Sequence, residues 1–232
     1  MKAQKLDCDQ CAHKDKSIFC QLEHESLNEV SRNKVMNVYK RGQVLFHQGN
    51  PAFGVYCVSS GKIKLTKISE AGRENVITIV GPGDLIGYQH GNGQNVNDVT
   101  ATAIEDTKVC FIDRAFLQKM IHDKNSCAME LIGHLSRDMS EMQERMGQLQ
   151  SKNVKERVEF LLDDLARRYG VRSGNGVRIG VQLSREEMAS MIGVATETLI
   201  RELSILKDEN VLAQDGKTLI LLKSSTVAAI ES

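Results

Sequence analysis

Three of the chain's six cysteines, Cys8, Cys11 and Cys20, fall within its first 22 residues. Cys8-x-x-Cys11 lets two thiolates from one turn meet the same metal, and Cys20 follows after eight intervening residues. A metal held there needs a fourth ligand from elsewhere. The alternative is that these are unliganded thiols on a polar arm. Cys57 and Cys127 lie within strand and helix patterns and read as core thiols.

A second group could read nucleic acid. Thr196, Glu197, Ile200 and Arg201 face away from Leu199, Leu203 and Leu206 on one helical pattern. An arginine can bond a guanine edge through two hydrogen bonds, and a glutamate can accept from a cytosine amino group. The plainer reading is that Glu197 and Arg201, four residues apart, pair with each other on a solvated face. Just upstream, Ser184 stands three residues before Glu187, a capping box that opens a helix ending at Gly193. Ser184 and Arg185 complete the expected DNA-contacting set.

The elements that must position these groups divide the chain into four zones: an arm over 1–22, a sensor domain over 23–113, a dimerisation helix over 114–152 and a DNA-binding domain over 153–232. The second zone is β-rich. Runs such as Val55–Val58, Lys62–Leu65 and Asn75–Val80 alternate with Gly42, Gly49, Gly61, Gly72, Gly81, Gly83 and Gly87. Short strands joined by tight glycine turns make a sandwich or barrel. In the third zone Ile132, Leu135, Met139, Met142, Met146 and Leu149 recur at alternating steps of three and four. That narrow stripe, flanked by Arg137, Asp138, Glu141 and Glu144, predicts a helix paired with its own copy in a homodimer. The fourth zone reads as a helix over Val154–Arg168, the two helices around Gly193, and a hairpin of 210–213 and 218–222 joined by Gln214-Asp215-Gly216-Lys217. The fold class is therefore α+β: a β-roll, a long helix and a winged helix-turn-helix.

Composition removes several function classes. Thirty Lys+Arg balance thirty Asp+Glu, and from Asn153 onward eleven basic residues meet twelve acidic ones. Bulk charge therefore does not drive DNA binding; the pattern alone argues for it. No apolar run is long enough to span a bilayer, and the polar start carries no secretory signal, so a cytoplasmic protein with no membrane partner is expected. Thiols stay reduced there, which argues against a disulfide framework. No G-x-x-x-x-G-K-[ST], H-E-x-x-H or G-x-S-x-G motif occurs, and the six histidines are scattered, so no enzyme is expected. A dimerisation scaffold that binds no DNA is the remaining rival.

The order of parts resembles the CRP/FNR family of bacterial transcription regulators across nearly the whole chain. The matching stretches are Arg41–Phe46, Gly61–Lys64, Gly83-Asp84-Leu85-Ile86-Gly87 and Thr196–Arg201. The resemblance implies that Glu197 and Arg201 read bases, although Ala195 and Ile200 depart from the usual residues. It implies an inverted-repeat operator on double-stranded DNA, and RNA polymerase as a partner. Members that bind cyclic nucleotide carry Glu and an Arg-Ser pair where this chain has Tyr88, Asn97 and Asp98, so a cyclic phosphate is not expected. Cys110 sits where oxygen-sensing members keep a distant cluster cysteine. With Cys8, Cys11 and Cys20 it would complete the four thiolates of a [4Fe–4S] cluster, and a four-cysteine zinc site has the same ligand count. His90 lies near where a carbon-monoxide-sensing relative places a haem ligand. An effector of another kind, or no cofactor, is the remaining alternative.

Overall fold

The protein is described here from a computed structural model covering residues 8, 11–19, 22–88 and 95–223. It divides into two compact units, 1–141 and 142–232.

In the first unit a short 3-10 turn (Lys14–Lys16) leads to helix α1 (His24–Asn33) and then to eight strands. These are β1 (Lys34–Tyr39), β2 (Val44–Phe46), β3 (Gly54–Ser60), β4 (Ile63–Ile68), β5 (Glu74–Val80), β6 (Leu85–Ile86), β7 (Thr100–Ala103) and β8 (Thr107–Asp113). They form two four-stranded antiparallel sheets, ordered β1-β8-β3-β6 and β2-β7-β4-β5. Alternation along the strands buries Phe46, Val58, Ile63, Leu65, Ala101 and Val109 in one cluster. The expected β-roll is there, and so is a helix, α1, that the glycine spacing did not signal. Gly61 (φ +84°) shows why one of those glycines is required: a Cβ there would lie 2.4 Å from Thr107 Oγ1.

A second cluster lies outside the roll. Ile18, Phe19 and Leu22 of the arm, and Leu27 and Val30 of α1, pack with Val55, Leu85 and Ile112. Leu117 and Met120 of helix α2 (Arg114–Asp123) and Cys127 complete it. The stretch read as one long helix is thus two. Asp113 caps α2 by accepting from Ala115 N and Phe116 N, and the extended backbone at Lys124 (φ −126°, ψ 98°) ends it. The long helix is α3 (Asn125–Ser151), and the 3-4 stripe lies entirely on it. The break follows from burial, since α2 turns Leu117 and Met120 into this second cluster.

The second unit begins with α4 (Val154–Tyr169), opened by a reciprocal capping box between Asn153 and Glu156. Then come β9 (Gly170–Ser173), β10 (Gly176–Ile179), α5 (Arg185–Met191), α6 (Thr196–Asp208), β11 (Leu212–Asp215) and β12 (Thr218–Leu221). The strands pair in the order β11-β12-β10-β9. The sequence pattern gave only the last hairpin. β9 and β10 are four residues each, and the surrounding Gly170, Gly174, Gly176 and Gly180 read as turn rather than strand. The final hairpin's connection is also tighter than expected, because Gln214 and Asp215 belong to β11 and only Gly216-Lys217 turns.

Candidate functional sites: a reading helix and a thiol-lined cavity

Helices α5 and α6 form the expected helix-turn-helix. Ser184 Oγ accepts from Glu187 N at 3.0 Å while Glu187 Oε2 accepts from Ser184 N at 2.7 Å, which fixes where α5 begins. Gly193, at φ +64°, makes the turn between the helices. Met188 and Ala189 of α5 and Leu199, Leu203 and Leu206 of α6 are buried. The opposite side of α6 faces solvent: Glu197, Ile200 and Arg201 are exposed and Thr196 is half-buried. The Glu197–Arg201 pair weighed above does not form; Arg201 instead lies 3.7 Å from Glu202. Ala195 gives α6 no side-chain cap, so its first-turn N–H groups have no such acceptor.

One residue that the sequence reading passed over organises this surface. Gln214 Oε1, on the wing, accepts from Lys207 Nζ at 2.6 Å and from Arg185 Nη2 at 3.1 Å. Its amide donates to Gly216 O at 2.6 Å. Gln214 thus ties α5, α6 and the hairpin turn together, and the Arg185 guanidinium is oriented along the wing.

On α3 the six stripe residues are all left uncovered in the single chain. Ile132 is 54% exposed, Met139 58%, Met142 56% and Met146 61%, with Leu135 and Leu149 also exposed. A row of large apolar side chains in water marks a surface for another apolar surface.

The cysteines converge on the first unit. Cys8, Cys11 and Cys110 line one cavity, together with Cys57. Its other walls are largely apolar, including Phe19, Leu27, Val30 and Ile112. Cys8 is held in place by its N–H donating to Ser31 Oγ at 2.9 Å and by its Sγ accepting from Lys34 Nζ at 3.1 Å. Cys20 and His90 lie outside the described residues. Cys57, expected as a core thiol, is half-buried against the second cluster and also forms part of the cavity wall, directly opposite Cys110 across β3 and β8. Burial raises the Cys57 thiol far above its usual range, and the thiols of Cys110, Cys8 and Cys11 add to this. The Cys110 thiol is raised by burial too, against the lowering effect of Lys34. Cys127 is fully buried, as expected of a core thiol, and burial pushes it up to about 11. Among the described residues, no three His, Cys, Asp or Glu side chains stand close enough to hold one metal ion as they are.

The positions that would meet a cyclic phosphate are otherwise engaged. Asp98 is paired with Lys67 at 2.6 Å. Asn97 is buried and donates to Asn50 O and Pro51 O. The Tyr88 hydroxyl bonds Asp138 of α3.

Comparison with known proteins follows the same division. The cyclic nucleotide-binding domain family matches residues 36–124 and the Crp-like helix-turn-helix domain family matches residues 156–226. The chain belongs to the CRP/FNR family of DNA-binding transcription regulators. It is 29% identical to the transcriptional activator protein Anr of Pseudomonas aeruginosa over 89% of this chain and 83% of that one. It is 27% identical to a CRP-like cAMP-activated global transcriptional regulator of Mycobacterium tuberculosis, over 91% of this chain and 94% of that one. The fold matches that of FixK2 from Bradyrhizobium japonicum with a TM-score of 0.73 and 24% identity, over 86% of this chain and 98% of that one. This family consists of regulators, not enzymes. No helix among the described residues is long and apolar enough to cross a membrane.

Proposed function

We propose that this CRP/FNR regulator works as a homodimer that reads an inverted-repeat operator and takes its signal from a redox-sensitive, thiolate-bound metal centre at the arm. The observation that carries the signal is the meeting of Cys8 and Cys11 with Cys110, about a hundred positions away in sequence, at one apolar-walled cavity. An anaerobic regulatory protein of Pasteurella multocida, 29% identical to this chain, is in keeping with such a signal.

The donor set fits the group. Thiolates are the usual ligands of a [4Fe–4S] cluster, and Cys8, Cys11 and Cys110 would supply three of them, with Cys20 the fourth that the sequence nominates. When bound, such a cluster supplies an oxygen-labile centre whose integrity reports the redox state. The chain's own residues do the rest. Ser31 holds the Cys8 backbone on α1. Lys34 sets a cation beside the Cys8 sulfur, where it offsets the negative charge that several thiolates would bring into an apolar wall. The cavity wall continues through Ile112 into α2, the route by which the arm's state can reach the rest of the first unit.

For DNA, pairing along Ile132 to Leu149 would present two copies of α6 to successive major-groove faces about 34 Å apart. Thr196, Glu197, Ile200 and Arg201 would meet base edges there. Ser184 and Arg185 would meet the backbone at the start of α5. The regulator would act in the cytoplasm, with RNA polymerase as its protein partner.

The deciding experiment is anaerobic purification of the full chain, with iron, sulfide and zinc assays, an absorption spectrum, and operator binding before and after exposure to air. About four irons per chain and an air-dependent change in operator affinity are expected. A zinc-loaded protein would replace the cluster with a four-cysteine zinc site. A colourless, metal-free protein with air-independent affinity would remove the metal reading and leave an effector of another kind.

A further inference from the structure

The cavity holds one more thiol than that reading uses. Cys57 and Cys110 are direct partners in the antiparallel ladder between β3 and β8. Directly opposed residues in such a ladder project to the same face of the sheet, with Cα atoms about 4.5–5.5 Å apart. Two thiolates on one tetrahedral metal with ~2.3 Å bonds sit about 3.8 Å apart, a spacing that two side chains leaving adjacent strands can match. Both line the same cavity as the Cys8-x-x-Cys11 turn.

We propose that Cys57 is a metal ligand, and that with Cys8, Cys11 and Cys110 it completes a four-thiolate set for a thiophilic metal ion or cluster in place of Cys20. The site then has two halves of different origin. The cross-strand pair Cys57–Cys110 is a rigid half, fixed by the ladder hydrogen bonds on both sides. The Cys8-x-x-Cys11 turn is a half borne on the arm, tied to the roll through Ser31 and Lys34. Binding would draw the arm's pair onto the fixed pair, because the four do not converge on one point as they stand. This architecture couples metal occupancy to where the arm sits.

The surroundings of Cys57 favour a ligand role beyond its packing against the core. Cys127 shows what a core thiol looks like in this protein: fully buried and absent from the cavity wall. Cys57 is half-buried and faces three other thiols and the ammonium of Lys34.

The inference rests on the reading that this cavity binds a metal, and the test separates the two. Full-length apoprotein, reduced and handled anaerobically, is titrated with Co2+ as a spectroscopic probe. The near-ultraviolet thiolate-to-cobalt charge-transfer intensity per bound ion scales with the number of sulfur ligands. Wild type and Cys20→Ser are expected to give the same four-thiolate intensity. Cys57→Ser and Cys57→Ala are expected to lose about a quarter of it and to bind Co2+ at least tenfold more weakly, with Cys127→Ser unchanged. Cys20→Ser tests whether Cys20 is a ligand even if the Cys57 variants fold poorly. An intensity that falls in Cys20→Ser, or that stays whole in a folded Cys57→Ser, overturns Cys57 as the fourth ligand and leaves the metal reading standing. Wild type that binds neither Co2+ nor iron overturns both.

Discussion

Tyr88 donates its phenolic hydrogen bond to the Asp138 carboxylate, which joins the residue after the Gly87 turn to helix α3 within the first unit. The same ring lies edge-on to His134, with centroids 5.6 Å apart. Gly87 makes this possible: it turns at φ +84°, and a Cβ there would stand 3.0 Å from Gly54 O. The turn that ends at Gly87 is therefore fastened to the helix that carries the apolar stripe.

Tyr88→Phe keeps the ring contact and removes only the hydroxyl. A hydrogen bond to a charged group contributes up to a few kcal/mol, less here because Asp138 is partly solvated. The expected loss is about 1 kcal/mol in urea denaturation, read as a lower midpoint at unchanged slope. No change in midpoint would mean that water replaces the hydroxyl without cost.

His134 supplies a pH dependence. Its side chain is almost wholly buried, and burial holds its pKa below the usual 6.5, helped by Arg137 and opposed by Asp84, a hydrogen bond with the Leu85 backbone, and Glu141. Asp138, 3.8 Å away, and the Tyr88 ring also face it. A group whose folded pKa lies below its unfolded value binds more protons when unfolded, so stability is present above about pH 6.5 and is lost as pH falls toward the folded value. Denaturation midpoints should therefore drop between pH 7 and the acid side of 6, and His134→Gln should flatten that slope. An equal slope in the variant would place the titration elsewhere.

What could be read from the chain alone divides along physical lines. The core of α6 was legible because Leu199, Leu203 and Leu206 repeat with helical period and tertiary packing obeys that period. The stripe on α3 was legible for the same reason, but its start was not. Leu117 and Met120 continue an apolar pattern, and only the docking of α2 on the roll reveals the break at Lys124. Strands β9 and β10 escaped because four-residue strands among four glycines carry almost no alternation to detect. The pairing of Cys57 with Cys110 was not legible because alternation along one strand says which face a side chain takes, not what stands across from it. That information belongs to the register with Cys110, a pairing 53 residues apart in sequence. Gln214 was invisible for a similar reason, since its three partners lie on three different elements.

The stripe makes a prediction about assembly. Met139 and Met142 are more than half exposed in the single chain, so a charge at either costs the isolated fold little. Facing their own copies in a dimer seam, two glutamates would be desolvated and opposed. Met139→Glu/Met142→Glu should sediment as single chains with an unchanged circular dichroism spectrum, and its operator affinity should fall because the two half-sites are no longer bound together. A double variant that still sediments as a dimer would move the interface off this face.

Ser184 and Arg201 separate folding from reading within one helix-turn-helix. Ser184 Oγ already accepts from Glu187 N, so Ser184→Ala should cost roughly 1 kcal/mol of stability as a lost cap. It should weaken binding to all DNA sequences alike, because a hydroxyl at a helix start meets phosphate and not a base. Arg201 is exposed, and its ion pair to Glu202 is long at 3.7 Å, so Arg201→Ala should leave the melting temperature nearly unchanged. On the operator it should cost about 1–3 kcal/mol and relax the preference at one base pair in each half-site. Binding arrays that vary each half-site position, measured at two salt concentrations, distinguish the two roles. If Arg201→Ala weakened every sequence equally and lowered the salt slope, the guanidinium would be holding a phosphate, and base recognition would fall to Glu197 and Thr196.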